Sequence, residues 1–365
     1  MNKERNYSFD LLRSLSMLLI ILGHAIYHGL RHIYSPEVYD LGIRLGDTTS
    51  MVNYGATQIL GYMAEVGVNV FVLITGYFTI KAKPLREVAD KAVGLTLRTW
   101  CFSLLLFGVA LVFGVAKADG ESIVHALAPV HSNSYWFITA YLAMLLVSPF
   151  VVRLTSGLER RQYTILLAIL TVLNVAQGEV GFGRIFGGSM TLVWFIYLFI
   201  LGGYIRRFDP WQRWLRHPLA TYLALCGGMS VVSVALQCWQ AAHVPEHIIT
   251  IRSLANNSLT LLTSVCLFVY FKRLQIGKAG RVASAISPYI FGIYLLHDNY
   301  FLRQWEWEQL LPSGIISLWW CVPYLLGLTV AIFAVGLLID RVLMFPVANA
   351  LHRLVRRLLP RKWRA

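Results

Sequence analysis

Hydrophobic positions along this chain fall in ten runs, at about 9–29, 56–80, 94–116, 135–153, 162–178, 190–205, 218–240, 254–271, 284–302 and 314–340. Most reach the roughly 18–20 apolar residues that a helix needs to cross a bilayer. The polar stretches between them alternate between rich and poor in Lys and Arg. If Met1 is cytoplasmic, the inner side holds Lys3, Arg5, the run Lys81 to Arg98, Arg153 to Arg161, Arg206 to Arg216, Lys272 to Arg281 and the C-terminal stretch, together 25 of the 32 basic residues. The outer side holds Arg31, Arg44, Lys117, Arg184, Arg252 and Arg303, and Arg13 falls inside a span. Such a positive-inside bias predicts an all-α, polytopic integral membrane protein with ten transmembrane helices and both termini cytoplasmic. Residues 1–340 form one membrane domain. Residues 341–365, including "FPVANALHRLVRRLLPRKWRA", read as a basic amphipathic tail lying on the anionic inner leaflet.

Composition agrees. Of the 365 residues 57% are hydrophobic and 14% charged, where a soluble domain carries about a quarter charged residues. Mean hydropathy is +0.60. A net charge of +14 would fit nucleic-acid binding only if the basic residues shared one face. They lie in short clusters between apolar runs, so nucleic acid is excluded as a partner. The first apolar run is long, holds Arg13 and has no small-residue cleavage site, so it reads as a retained helix. Cys101, Cys226, Cys238, Cys266 and Cys321 lie in or beside apolar runs without metal-ligand spacing and read as small buried hydrophobes. Trp136, Trp194, Trp305, Trp319 and Trp320 sit near expected interfaces, where belt anchoring is the plain interpretation.

The first span, "FDLLRSLSMLLIILGHAIYHG", carries costly residues: Arg13, His24 and His28, with Asp10 beside them. Arg13 and His24 are eleven positions apart, which on an α-helix places them within about 20° of one another and about 16 Å apart along the axis. Arg13 lies toward the inside and His24 in the outer half. Taken singly, Arg13 could snorkel and pair with Asp10, and His24 could be a packing residue. Other spans add to the pattern. Glu65 and Asn69 share a face of the second at i, i+4 spacing, with Glu65 roughly 14 Å below its outer end. His297 and Asp298 close the ninth, and Asn256 and Asn257 open the eighth. Four spans therefore contribute polar groups to the outer half, while Arg13 stands alone at the inner end. The chemistry suits acyl transfer. A histidine takes the proton from an attacking hydroxyl and returns it to a leaving thiolate. A carboxylate such as Glu65 or Asp298 can fix its tautomer, and an arginine suits a phosphate-bearing donor. His24 and His28 have metal-compatible spacing, but no third ligand is placed, so no metal is expected.

These residues resemble acyltransferase family 3, the integral-membrane acyltransferases that modify bacterial surface glycans. The likeness rests on R-x10-H, here Arg13 to His24; on "FVLITGYF" after Glu65; on "YWFITAYLAMLLVSPF", Tyr135 to Phe150; and on "FGIYLLHDNY", Phe291 to Tyr300. Thr75 stands where the family commonly has Ser, and Asp298 where it commonly has Pro. The resemblance implies a ten-helix enzyme of the bacterial cytoplasmic membrane. It takes an acyl group, usually acetyl, from cytoplasmic acyl-CoA and delivers it to a hydroxyl of a surface or lipid-linked glycan outside. The motif carries over His24 as the catalytic residue and Arg13 as its partner at the donor-binding end, and the residue pattern adds Glu65 as a catalytic candidate. Asn69, Trp136, His297 and Asp298 are substrate-binding candidates. Acetyl-CoA is a co-substrate, no cofactor is tightly bound, and the partners are acyl-CoA, the glycan acceptor and membrane lipids. Direct transfer and transfer through an acyl-His intermediate are both compatible with these residues. The competing expectations are an exporter of a small acid or lipid-linked saccharide using the same polar cavity, and a membrane sensor or scaffold.

Overall fold

A computed structural model of the chain describes residues 7–31, 47–176, 191–212, 215–243, 251–277 and 280–358. The expected outer segments within 32–46 and 178–189, the basic Met1 to Asn6, and residues 359–365 of the tail lie outside the described residues. Among those described, every regular element is helical.

In chain order, α1 spans Tyr7–His24 and continues as a π-helical turn, Ala25–Leu30; α2 spans Thr48–Ala64 and α3 Val66–Phe78. Next come α4, Leu85–Val112, the short α5, Gly120–Leu127, and α6, Trp136–Ser156. Then α7 covers Arg160–Thr171, α8 Leu192–Phe208, α9 Pro218–His243 and α10 Ile251–Arg273. The short helices α11, Gly280–Ile286, α12, Ile290–His297, and α13, Arg303–Leu310, precede α14, Cys321–Ile339. A π-helical turn, Asp340–Met344, leads into α15, Phe345–Leu358. Among the described residues, six stretches are long and apolar enough to cross a membrane: Tyr7–Leu30, Thr48–Phe78, Leu85–Val112, Trp136–Ser156, Pro218–Gln240 and Cys321–Leu358. The other four expected spans coincide with α7, α8, α10 and the α11–α12 region.

Several boundaries depart from expectation. The second span begins at Thr48, because Asp47 accepts from the Ser50 N–H at 2.7 Å and caps the helix. Bonds from the Ser50 hydroxyl and from its N–H hold the Asp47 carboxyl below its ordinary range. Glu65 is therefore seventeen residues from the helix start, deeper than the sequence suggested. The third span begins at Leu85, so Arg98 is a buried residue within α4 and not part of a cytoplasmic connection. The ninth breaks at His297, where Asp298 to Leu302 leave the helix. The last span does not stop at 340 but turns through the π segment into α15. Trp194 is fully buried, not an interfacial anchor, whereas Trp319 is exposed; Cys238 is exposed and Cys101 partly so, against the expected burial.

The chain divides into two compact units. The first comprises 1–71, 211–287 and 304–333. Here α2 packs on α9 through polar pairs set among apolar residues: Tyr54 with Gln237, Tyr62 with Ser233, and Tyr222 with the Met63 carbonyl at 2.8 Å. Phe9 of α1 meets Phe268 of α10 at 5.4 Å. Asn53 donates to the carbonyls of Ile316 and Leu318, each at 2.8 Å, tying α2 to the turn before α14.

The second unit comprises 72–210, 288–303 and 334–365. In it α3 and α8 cross at backbone contact. A Cβ on Gly76 would lie 2.8 Å from the Phe199 carbonyl carbon, and one on Gly202 2.9 Å from the Tyr77 nitrogen. Small residues at such a crossing are the means by which membrane helices approach closely. Gly202→Ala is expected to destabilise the fold by about 1–3 kcal/mol, since backbone cannot yield as a side chain can. A Cβ added at Gly108 in α4 would meet nothing within 4 Å, so Gly108→Ala is expected to be neutral or slightly stabilising. Thermal unfolding of both variants in one detergent checks the opposite signs. Arg98 is buried in this unit against Asp340, with its Nη1 on the Pro288 carbonyl at 3.2 Å and its guanidinium over the rings of Phe291 and Phe345.

Candidate functional site

The first unit assembles Arg13, His24, Glu65 and Asn69. Because α1 is α-helical from Tyr7 through His24, the eleven-residue spacing keeps Arg13 and His24 on one face, about 16 Å apart along the axis. Arg13 bonds buried Asp10 at 2.9 Å, and its side chain remains 32% exposed. The local pairing is therefore real, and it leaves about a third of the Arg13 side chain exposed. One carboxylate occupies only part of a five-donor fork.

His24 is half-buried at the last α-helical position, and the backbone widens to π geometry at the next residue. Isolated π-turns are uncommon and concentrate at functional sites. The wider turn also resets His28, whose ring meets that of His24 edge-on at 4.9 Å. Gly23 sits close to Ala64, where an added Cβ would be 3.2 Å from the alanine methyl. Gly61 is pressed more closely still by the Tyr27 hydroxyl. These small residues let the His24 region lie against the end of α2.

Glu65 occupies the break between α2 and α3. Its carboxylate accepts from Tyr27 Oη at 3.3 Å and from Thr260 Oγ1 at 3.0 Å. One turn on, buried Asn69 donates to Ser264 Oγ at 3.2 Å. The i, i+4 pair Glu65/Asn69 thus faces the i, i+4 pair Thr260/Ser264 of α10. Tyr27, three residues after His24, connects the carboxylate to the histidine-bearing helix. Tyr27, Thr260 and Ser264 were not singled out from sequence. Their signal was present in the matching four-residue spacing and in a hydroxyl next to the histidine. Asn257 of α10 is buried, while the side chain of Asn256 lies outside the described residues.

The second unit holds the other three candidates, and three of the four motif segments meet there. Thr75 Oγ1 and Tyr141 Oη are 3.2 Å apart, and the rings of Phe137 and Tyr294 5.3 Å apart. Trp136 is the first residue of α6, half-buried with its ring edge-on to Phe137 and Phe195. His297 is fully buried with Nδ1 2.8 Å from the Ile293 carbonyl. A carbonyl only accepts, so Nδ1 of His297 carries a proton. Buried Asp298 pairs with Arg303 at 3.0 Å, and Asn299 donates to Tyr135 Oη at 2.7 Å, which donates to the Leu295 carbonyl at 3.0 Å. Arg303, Asn299 and Tyr135 are further members that the sequence pattern did not expose.

The first unit thus holds a histidine and an arginine on one face of α1, and the second holds the polar motif residues that close α12. The acyltransferase-domain family matches residues 6–349, and the chain belongs to this family, the membrane-bound acyltransferase family 3. Comparison with curated proteins and with solved structures gave no match. Family membership sets the transporter and scaffold expectations aside in favour of a membrane acyltransferase in general.

Proposed function

We propose that the protein is an O-acyltransferase of a bacterial cytoplasmic membrane. It has ten spans and both ends inside, and moves an acyl group, by preference acetyl, from cytoplasmic acyl-CoA to a hydroxyl of a surface or lipid-linked glycan outside. The observation that carries this reading is the uninterrupted α-helix from Arg13 to His24, with the partly exposed arginine side chain at one end and the half-buried histidine at the other.

In this reading Arg13 engages phosphate oxygens of the donor with the part of its fork that Asp10 leaves open. His24 accepts the proton of the acceptor hydroxyl as the oxygen attacks the thioester carbonyl. The C–S bond breaks, the acyl group passes to oxygen as an ester, and the proton goes to the departing thiolate. Glu65, held by Tyr27 and Thr260, supplies fixed negative charge in the same unit and favours the imidazolium that forms in between. Trp136, His297 and Asp298 belong to the acceptor side. A covalent acyl-His24 intermediate satisfies the same balance in two steps.

The test is radiolabelled acetyl-CoA with the protein purified into lipid and a panel of bacterial-type saccharides, scoring base-labile acetyl esters. Arg13→Ala is expected to raise the KM for acetyl-CoA about ten-fold or more, the loss of a charge-assisted contact of about 1.5–3 kcal/mol. An unchanged donor KM removes Arg13 from the donor site, and absence of any acetyl ester with wild-type protein contradicts the function.

A further inference from the structure

We infer that the stacked pair His125–Tyr300 is a saccharide-binding platform, a subsite for a sugar ring of the acceptor. The inference rests on the O-acyltransferase reading and adds the place where the glycan is gripped. His125 belongs to α5, in the connection between the third and fourth expected spans, and Tyr300 is the last residue of the motif segment that runs through α12. Both lie in stretches that the charge distribution assigns to the outer side or the outer end of a span. The second unit brings them together, with ring centroids 3.9 Å apart and planes within 8° of parallel.

Neither ring is loosely held. His125 Nδ1 is 2.8 Å from Ser134 Oγ, and Ser134 Oγ is 2.8 Å from Ser132 Oγ. The turn carrying these serines also holds Asn133, exposed and in the left-handed region at φ 56°, and His131, likewise exposed. Tyr300 is fixed from both sides in sequence. Asn299 is buried on Tyr135, and Phe301 packs on Phe107 at 4.8 Å while its N–H bonds Asn299 Oδ1 at 3.0 Å. Yet Tyr300 itself remains 41% exposed. Tyr300 is thus a large aromatic residue, three positions after His297, that stays substantially exposed while its neighbours Asn299 and Phe301 are packed.

A pyranose matches this surface. Its face of axial C–H groups is apolar and lies against an aromatic ring, while its equatorial hydroxyls need hydrogen-bond partners around the rim. Tyr300 offers the first together with a polar handle. His125, Ser132, His131 and Asn133 offer imidazole, hydroxyl and amide groups of both donor and acceptor kind. A ring bound there would sit beside the segment that carries His297 and Asp298, the segment given to the acceptor side above.

The experiment uses the full chain in lipid nanodiscs, radiolabelled acetyl-CoA, and the saccharide of a tagged bacterial-type panel that wild-type protein acetylates fastest. Tyr300→Ala is expected to raise the KM for that saccharide about ten-fold, equivalent to about 1.4 kcal/mol. The acetyl-CoA KM and kcat should stay within about two-fold, and Tyr300→Trp, which keeps an aromatic face, should recover most of the loss. A wild-type saccharide KM in Tyr300→Ala overturns the platform. So does a loss shared equally by both substrates, the mark of a structural role. If wild-type protein acetylates a lipid or peptide hydroxyl and no saccharide, the glycan reading fails first and the platform with it.

Discussion

Replacing His24 with alanine is expected to lower the rate of acyl transfer by about 10²–10⁴-fold, the usual contribution of a positioned general base. The affinity for CoA should change little, because the donor contact assigned to Arg13 lies about 16 Å away along α1. His24 is only partly buried, so truncation leaves no large cavity, and its ring contact with His28 is an edge contact at 4.9 Å. Stability should therefore fall far less than activity. His24→Gln separates chemistry from packing. It fills similar space and keeps hydrogen-bonding atoms but cannot carry a proton near neutral pH. Single-turnover acetyl transfer, with CoA binding measured in parallel, reads the two effects separately. A His24→Gln variant with more than a tenth of wild-type rate would show that the imidazole does not move the proton.

The second large effect concerns stability. Asp340→Ala is expected to destabilise the protein by about 3–5 kcal/mol, because it leaves the buried Arg98 guanidinium without its counter-charge. Arg98 cannot discharge by losing a proton, and its other bond, to the Pro288 carbonyl, does not neutralise it. The carboxylate also sits directly against Gly292 of α12. Loss of the pair thus reaches the base of the helix that ends in His297. Removing both charges, as in Arg98→Met with Asp340→Leu, should cost less than Asp340→Ala alone. Thermal unfolding of the wild type and the two variants in one detergent decides the matter. A double variant no better than the single would mean that packing against Gly292, and not the charge, is what Asp340 supplies.

Arg98 also shows where the sequence stops being readable. Counted as a basic residue near a span, it reads as cytoplasmic. Its partner is 242 positions away in sequence, and a charge count has no access to pairing at that distance. The long apolar runs were legible because length and composition alone decide whether a helix can sit in lipid. The true start of α2 was hidden because its first turns are polar, although Asp47 with Ser50 is a recognisable cap. Arg13 and His24 share a face as expected, since nothing interrupts the α-helix between them. His28 does not follow by the same arithmetic, because the π-turn begins between it and His24. Glu65 and Asn69 were legible as a polar pair at helical spacing. Thr260 and Ser264, which receive them, became visible only when α10 was placed beside α2 and α3. The break after His297 follows from Asp298 and Asn299, whose side chains compete with helical hydrogen bonds. An apolar window centred on the preceding "FGIYLL" smooths that signal away.

The central claim is that α1 carries group transfer from a donor bound inside to an acceptor outside, with His24 at the chemistry. Its most direct test seals wild-type protein and His24→Gln in proteoliposomes of known orientation. Labelled acetyl-CoA is placed on the Arg13 side only, and the saccharide identified from the panel on the other. Labelled acetyl ester appearing on the opposite-side saccharide with wild type, and falling at least about a hundred-fold with His24→Gln, is the predicted result. Label that reaches the saccharide equally well in both proteins, or only when donor and acceptor share a compartment, would contradict it.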